Sequence, residues 1–224
     1  MSTVAVKTLS IDGTIKEGIA IGTKNIVPII VNVLLWALTC WIPYLNVGTT
    51  IGLMVGIVSK AAKGEMIPMT EIFDPKYRKY MGEFFLTNGL VMMGVYAGLL
   101  FFIAPGIVIA FAWSLAVLLA VDKGKNPSEA LTLSNHLTYG NKLSMFVVYL
   151  IVGLALFIAM FVFSLIPGVK YLLMFATYVF GIFVMLGLQA SIYKQLTAGL
   201  DGDASAQQPP LPEPLPEPTS NDAP

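Results

Sequence analysis

The chain has 224 residues, 56% of them hydrophobic and only 12% charged, against about 25% charged in a soluble domain. Its 13 basic and 13 acidic residues cancel, which removes the global basic field that nucleic acid would require. The single cysteine, Cys40, excludes an internal disulfide framework and a cysteine-based zinc site.

In chain order, residues 1–13 form an N-terminal cytoplasmic segment. Thr14-Ile15-Lys16-Glu17 has the spacing of a capping box and opens a short amphipathic stretch bearing Ile15, Ile19 and Gly22 on one face. The first apolar run, 26–42, ends in Trp41-Ile42-Pro43-Tyr44 rather than in small residues suited to cleavage, so it reads as a span and not as a leader. It is just long enough to cross, since a crossing needs about 17–25 apolar residues.

The second run, 47–58, is too short alone and needs Lys60 and Lys63 to snorkel; its alternative is a re-entrant segment. Glycine recurs every fourth residue here, at Gly48, Gly52 and Gly56, which strips one helix face for close packing against a neighbour.

Asp74-Pro75 then signals a second amphipathic start, followed by Tyr77, Tyr80, Met81 and Phe84 at helical spacing. Phe73, Lys76, Tyr77, Arg78, Lys79 and Tyr80 form a basic, aromatic cluster suited to anionic lipid head groups, or else to setting topology alone.

Runs 84–103 and 107–121 flank Ala104-Pro105-Gly106. Asn126-Pro127-Ser128-Glu129 starts a third amphipathic stretch with Ala130, Leu133 and Leu137. Runs 143–166 and 169–192 flank Pro167-Gly168. Proline and glycine make each short connection the tip of a tight helical hairpin. The predicted fold is therefore all-α and integral to a membrane. It has six transmembrane helices as three helical hairpins, each preceded by a short amphipathic interfacial helix, over residues 14–197.

Among the basic residues only Lys170 lies at a hairpin tip; the others sit in the termini and long loops. The positive-inside rule then puts both termini in the cytoplasm, with the chain multi-pass in a bacterial inner membrane. Residues 198–224, with the run Pro209-Pro210-Leu211-Pro212-Glu213-Pro214, read as a disordered Pro-rich acidic cytoplasmic tail. That tail is either a ligand for an aromatic groove or a plain solvated segment.

Apart from Lys170 at the last hairpin tip, no residue charged at neutral pH falls within the apolar runs, and the one histidine, His136, has no cysteine partner for a metal. No phosphate loop or nucleophile motif is present. No cofactor, metal or catalytic residue is expected. The intramembrane polar residues Asn32, Asn88 and Gln189 serve either as interhelical glue or as the lining of a narrow path for a neutral solute.

Ala104-Pro105-Gly106, Asp122-Lys123-Gly124, Ser128-Glu129-Ala130-Leu131 with Ser134 and Gly140-Asn141, then Ile192-Tyr193-Lys194-Gln195-Leu196, resemble a broad group of uncharacterised bacterial six-helix membrane proteins. The pattern is similar to the membrane domain attached to some glycerophosphodiester phosphodiesterases. The resemblance implies a six-helix inner-membrane domain with interfacial helices and no known activity. The function expected is a non-enzymatic scaffold or accessory protein. It would act through its cytoplasmic belt and tail on membrane lipids, on a membrane-protein partner or by homo-oligomerisation. A passive channel or transporter for a small neutral or amphiphilic solute is the alternative.

Overall fold

A computed structural model describes residues 8–200, so the Pro-rich tail from residue 201 onward and residues 1–7 lie outside the described residues. Among the described residues every regular element is helical. Helices α1 (Ile11–Lys24), α2 (Ile26–Thr39) and α3 (Pro43–Ile51) lead into a π-helical turn (Gly52–Gly56) and α4 (Ile57–Lys63). A 3₁₀ turn (Glu71–Phe73) and α5 (Lys76–Lys79) precede α6 (Met81–Phe101), α7 (Ile103–Ala112) and α8 (Ala116–Asp122). The chain continues through α9 (Pro127–Thr138), α10 (Lys142–Ser164) and α11 (Lys170–Thr197).

Among the described residues five stretches are long and apolar enough to cross a membrane: Pro43–Lys63, Met81–Phe101, Ile103–Asp122, Lys142–Ser164 and Lys170–Thr197. A sixth exists only if α1 and α2, bent by 65°, count together. By length the second run, expected to be the less certain of the two, is a span in its own right, and the first reaches span length only together with α1. Helix α2 has 14 residues, about 21 Å of rise against a hydrocarbon core of about 30 Å. It stops at the turn before Pro43, which opens α3 in the first helical position. The second run instead lies within a continuous helix of 21 residues, Pro43–Lys63. The π turn carries the backbone through without a break, with the Ile57 N–H donating to the Gly52 carbonyl.

Helix starts follow local chemistry. The Asn126 side chain accepts from the Glu129 N–H at 2.9 Å, and Pro127 follows at the first helical position, as the sequence predicts. Helix α1 begins earlier than the Thr14 capping-box spacing predicts. Ser10 is its cap, accepting from the Gly13 N–H at 3.3 Å, while Thr14 sits inside the helix and donates to the Ser10 carbonyl at 2.6 Å. Asp74 accepts from the Lys76 N–H at 2.9 Å, but the helix it starts, α5, has only 4 residues.

The core is concentrated at the lysine-bearing ends of the helices. Ile57 and Val58 of α4, Ala116, Leu118, Leu119 and Ala120 of α8, and Leu188, Ala190, Ile192 and Tyr193 of α11 are all buried. The opposite ends expose large apolar side chains, including Leu38 of α2 and Trp41 just after it, Leu100 and Phe101 of α6, Phe157 and Phe161 of α10, and Leu172 of α11. Such a surface is stable against hydrocarbon and costly against water.

Helix α1 packs antiparallel along the second half of α11. Gly18, Gly22 and Gly187 permit that approach: a Cβ on Gly187 would stand 2.0 Å from the Gly18 carbonyl oxygen. Helix α9 covers a break between α7 and α8. There Ser134 donates to the Ala112 carbonyl at 2.7 Å and accepts from the Leu115 N–H at 3.2 Å, so the interrupted ladder is satisfied by a side chain.

Candidate functional site

The glycine stripe of α3–α4 receives the segment 71–78 of the same chain, not a long neighbouring helix. A Cβ on Gly48 would lie 2.9 Å from the Arg78 side chain, one on Gly52 2.7 Å from the Ile72 Cα, and one on Gly56 2.1 Å from the Tyr77 hydroxyl. Asn32 anchors the same segment from α2. Its amide donates to the Pro28 and Pro68 carbonyls, each at 2.9 Å, and its oxygen accepts from the Ile72 N–H at 3.2 Å.

Docking this segment buries Glu71, whose side chain is 2% exposed. An isolated carboxylate there would be severely destabilising, so its oxygens must be bonded. Lys60 from the end of α4 donates to Oε2 at 2.6 Å; Lys76 reaches Oε1 at 3.3 Å, and the Tyr77 hydroxyl donates to the same oxygen. Burial, and then the neighbouring Glu71 carboxylate, push the Tyr77 phenol far above its ordinary range, so it remains a donor.

Lys76 also pairs with Asp74 at 2.9 Å. Burial acts to raise the Asp74 carboxyl and to lower the Lys76 ammonium, but their mutual bonding outweighs it, holding Asp74 below and Lys76 above their usual values.

A second ion pair joins the other long helices. Lys63 meets Asp122 of α8 at 2.6 Å, and the Tyr193 hydroxyl of α11 donates to the second oxygen of that carboxylate at 2.8 Å. A third polar cluster ties α1 to α11. Glu17 accepts from Ser191 at 2.7 Å and Lys194 at 2.6 Å, and Gln195 bridges Glu17 and Thr14 at 3.2 and 3.1 Å.

Between the first two ion pairs lies a cavity of about 280 Å³, lined by Ser59, Lys60, Lys63, Lys76, Tyr80 and Asp122, among others. Among the described residues no group of His, Cys, Asp and Glu side chains could hold a metal.

The basic, aromatic cluster from the sequence divides in two. Tyr77 turns inward, Lys76 bridges two carboxylates, and Arg78 lies along Gly48 with its guanidinium 5.8 Å from the Tyr44 ring. Lys79 is exposed beside Tyr80, and Phe73 is half-buried. Of the intramembrane amides, Asn32 is fully buried and committed to backbone, whereas Asn88 on α6 and Gln189 on α11 are half-buried.

Sequence reading missed Lys60, Lys63, Glu71, Asp122 and Tyr193 as partners. The available signal was Glu71 standing directly before Ile72 and Phe73, a carboxylate among apolar neighbours. Comparison with known family models, curated proteins and solved structures finds no match to this chain.

Proposed function

We propose that the chain is a non-enzymatic scaffold or accessory protein of a bacterial inner membrane, built as three hairpins that enter from the lysine-bearing, cytoplasmic side. The α6–α8 and α10–α11 hairpins cross the bilayer. The first hairpin enters and returns without crossing. Supporting that, α2 is short, and Arg78 of a lysine-rich loop lies 5.8 Å from Tyr44, just beyond the hairpin's tip. A full crossing would put that tip a bilayer away from the loop. All the long charged loops remain on one side, with Lys170 alone among the basic residues at the opposite tip, consistent with the positive-inside rule.

The observation that carries the scaffold reading is the fixed cytoplasmic layer. Segment 71–80 is seated on the glycine stripe, clamped by Glu71, and holds Lys79 outward beside Tyr80. Such a surface suits anionic lipid or a membrane-protein partner. The amide of Asn32, fully engaged with backbone, favours this reading over a solute path.

Mass spectrometry of the whole protein in native lipid particles tests it, comparing wild type with R78Q/K79Q. These changes leave the Glu71 clamp intact. The expected result is a defined set of retained lipids or subunits that the double variant loses. Identical association by the two proteins, or a monomer carrying a specific small solute, rejects the reading.

A further inference from the structure

We infer that the groove between α10 and α11 holds one acyl chain of an anionic phospholipid, with the head group at Lys170. The site lies toward the end of the molecule opposite the fixed cytoplasmic layer and so goes beyond the reading above. It rests on that reading only for the crossing of the α10–α11 hairpin.

The groove has a volume of about 600 Å³. Small side chains, Ala155 and Ala159 of α10 and Ala176 of α11, leave the space between the helices, and Phe163 and Phe180 also line it. The one polar side chain in the lining is Thr177, and its hydroxyl donates to the Leu173 carbonyl at 2.8 Å. The wall therefore offers no bond to water or to a polar ligand, and the occupant is apolar along this length.

One end is closed. Ile15 and Ile19 of α1 line the groove there, beside Val184. The close approach of Gly18 and Gly22 to Leu188 and Phe183 pins α1 in that place. From Leu173 to Val184, α11 rises about 16 Å, about half of a hydrocarbon core of about 30 Å. The groove is thus one leaflet deep. A partner's transmembrane helix would have to continue through the other leaflet and would run into α1. A lipid chain ends there.

The other end is marked by charge. Lys170, Leu173, Thr177, Phe180 and Val184 follow one another at three- and four-residue spacing. Lys170 therefore shares the groove's face of α11, one turn nearer the tip. Its ammonium lies over the Tyr171 ring, 5.0 Å from the centroid. The whole hairpin, residues 142–197, contains no carboxylate to neutralise it.

This is an unfavourable place for a cation on two counts. Lys170 is the first residue of α11, at the positive end of the helix dipole, and it stands on the side where the positive-inside rule disfavours basic residues. It contributes neither to helix stability nor to topology. An anionic head group offsets both penalties, and a chain attached to that head group enters the groove directly.

The test is photo-crosslinking of the whole protein in phosphatidylcholine nanodiscs, with the labelled sites mapped by mass spectrometry. The probes are phosphatidylglycerol and phosphatidylcholine carrying one diazirine on the acyl chain, placed either beside the glycerol or at the chain end. The lipid-facing side of α6, where Phe85 and Met93 are exposed, reports the ordinary lipid shell.

Phosphatidylglycerol should label the groove about fivefold more than phosphatidylcholine, the effect of one lysine near an anionic lipid, with no such preference on α6. The chain-end probe should mark Ile151 and Val184, and the probe beside the glycerol should mark Phe163 and Leu173. Lys170→Gln changes a half-buried side chain at the tip and should remove the preference while the chain still labels the groove. Ala159→Phe fills the groove and should abolish its labelling by both lipids with α6 unchanged. Should that variant fail to fold, Lys170→Gln and the depth of the two probes still decide.

Equal groove labelling by the two lipids, an unchanged preference in Lys170→Gln, or the two probes in reverse order overturns the proposal. So does a groove shielded from both lipids, which means that protein fills it. A nanodisc presents the same lipids on both faces, so these outcomes do not depend on which side is cytoplasmic. A failure of the crossing is read separately from the accessibility of Val169→Cys, and a failure of the scaffold reading from R78Q/K79Q.

Discussion

Tyr77 places its hydroxyl directly above Gly56, where a Cβ would stand only 2.1 Å from the phenol oxygen. The absent side chain on α4's approach is therefore what lets the phenol reach Glu71. Gly56→Ala should lower stability by about 1–3 kcal/mol, the usual cost of overpacking. Gly153 on α10 has nothing within 4 Å of its Cβ position, and Gly153→Ala should be neutral or stabilising by up to about 1 kcal/mol. Thermal unfolding of the two variants in the same detergent gives the comparison; equal shifts would contradict the docking.

Glu71 is the hub of that layer. Glu71→Ala strands the Lys60 ammonium and the buried Tyr77 hydroxyl, and should cost about 3–5 kcal/mol. Lys76→Gln should cost about 1 kcal/mol or less, because that ammonium is 46% exposed and Glu71 keeps two other donors. Denaturant or thermal melts that rank these two variants in the opposite order would remove Glu71 from its central place.

The break between α7 and α8 depends on Ser134. Its hydroxyl serves both the Ala112 carbonyl and the Leu115 N–H. Ser134→Ala should destabilise by about 1–3 kcal/mol through a buried unsatisfied group. Ser128→Ala, at an exposed position of the same helix, should change stability by no more than about 0.5 kcal/mol. Hydrogen exchange should also quicken at Leu115 in the first variant alone.

The Asp74–Lys76 pair gives a pH dependence of definite sign. A carboxyl held below its unfolded value of 3.8 contributes stability above that pH and loses it as pH falls through the folded value. An ammonium held above 10.5 contributes below that pH and loses its share as pH rises through its folded value. The stability difference between wild type and Asp74→Asn should therefore be flat across neutral pH and shrink in acid below 3.8. Asp74 is partly exposed, so the plateau should be below about 1 kcal/mol. A difference that grows in acid would contradict the pairing.

Much of the helical layout could be read from the chain, because periodicity, the Pro167-Gly168 tip and the Asn126-Pro127 start are local signals. The expected tip Ala104-Pro105-Gly106 instead lies in the first turn of α7, and the chain turns at the extended Phe102, since proline is tolerated in a first helical turn. The glycine stripe was legible as a face for close approach. Its occupant was not, since Ile72, Tyr77 and Arg78 return to it through a loop that carries no helical pattern.

Lys60 and Lys63 read as snorkelling side chains because their partners are 11 and 59 residues away. A sequence shows that a charge exists and not which carboxylate folds back to meet it. Helix α1 was placed too late because Thr14 has the residue type of a cap, while its hydroxyl serves a buried network with Gln195. The apolar run of α2 is uniform in sequence, and nothing in it shows the 65° bend from α1 or the turn before Pro43 that limits the helix to 14 residues.

Single-cysteine labelling in intact and permeabilised bacterial cells, on a Cys40→Ala background, tests the membrane arrangement most directly. The probes are Val169→Cys at the last hairpin's tip, Lys79→Cys in the lysine-bearing loop and Tyr44→Cys beside the first hairpin's tip. A membrane-impermeant thiol reagent should modify the first in intact cells, the second only after permeabilisation, and the third in intact cells not at all. Modification of Val169→Cys and Lys79→Cys from the same side would contradict the one-sided hairpin architecture, and modification of Tyr44→Cys from outside would contradict the re-entry of the first hairpin.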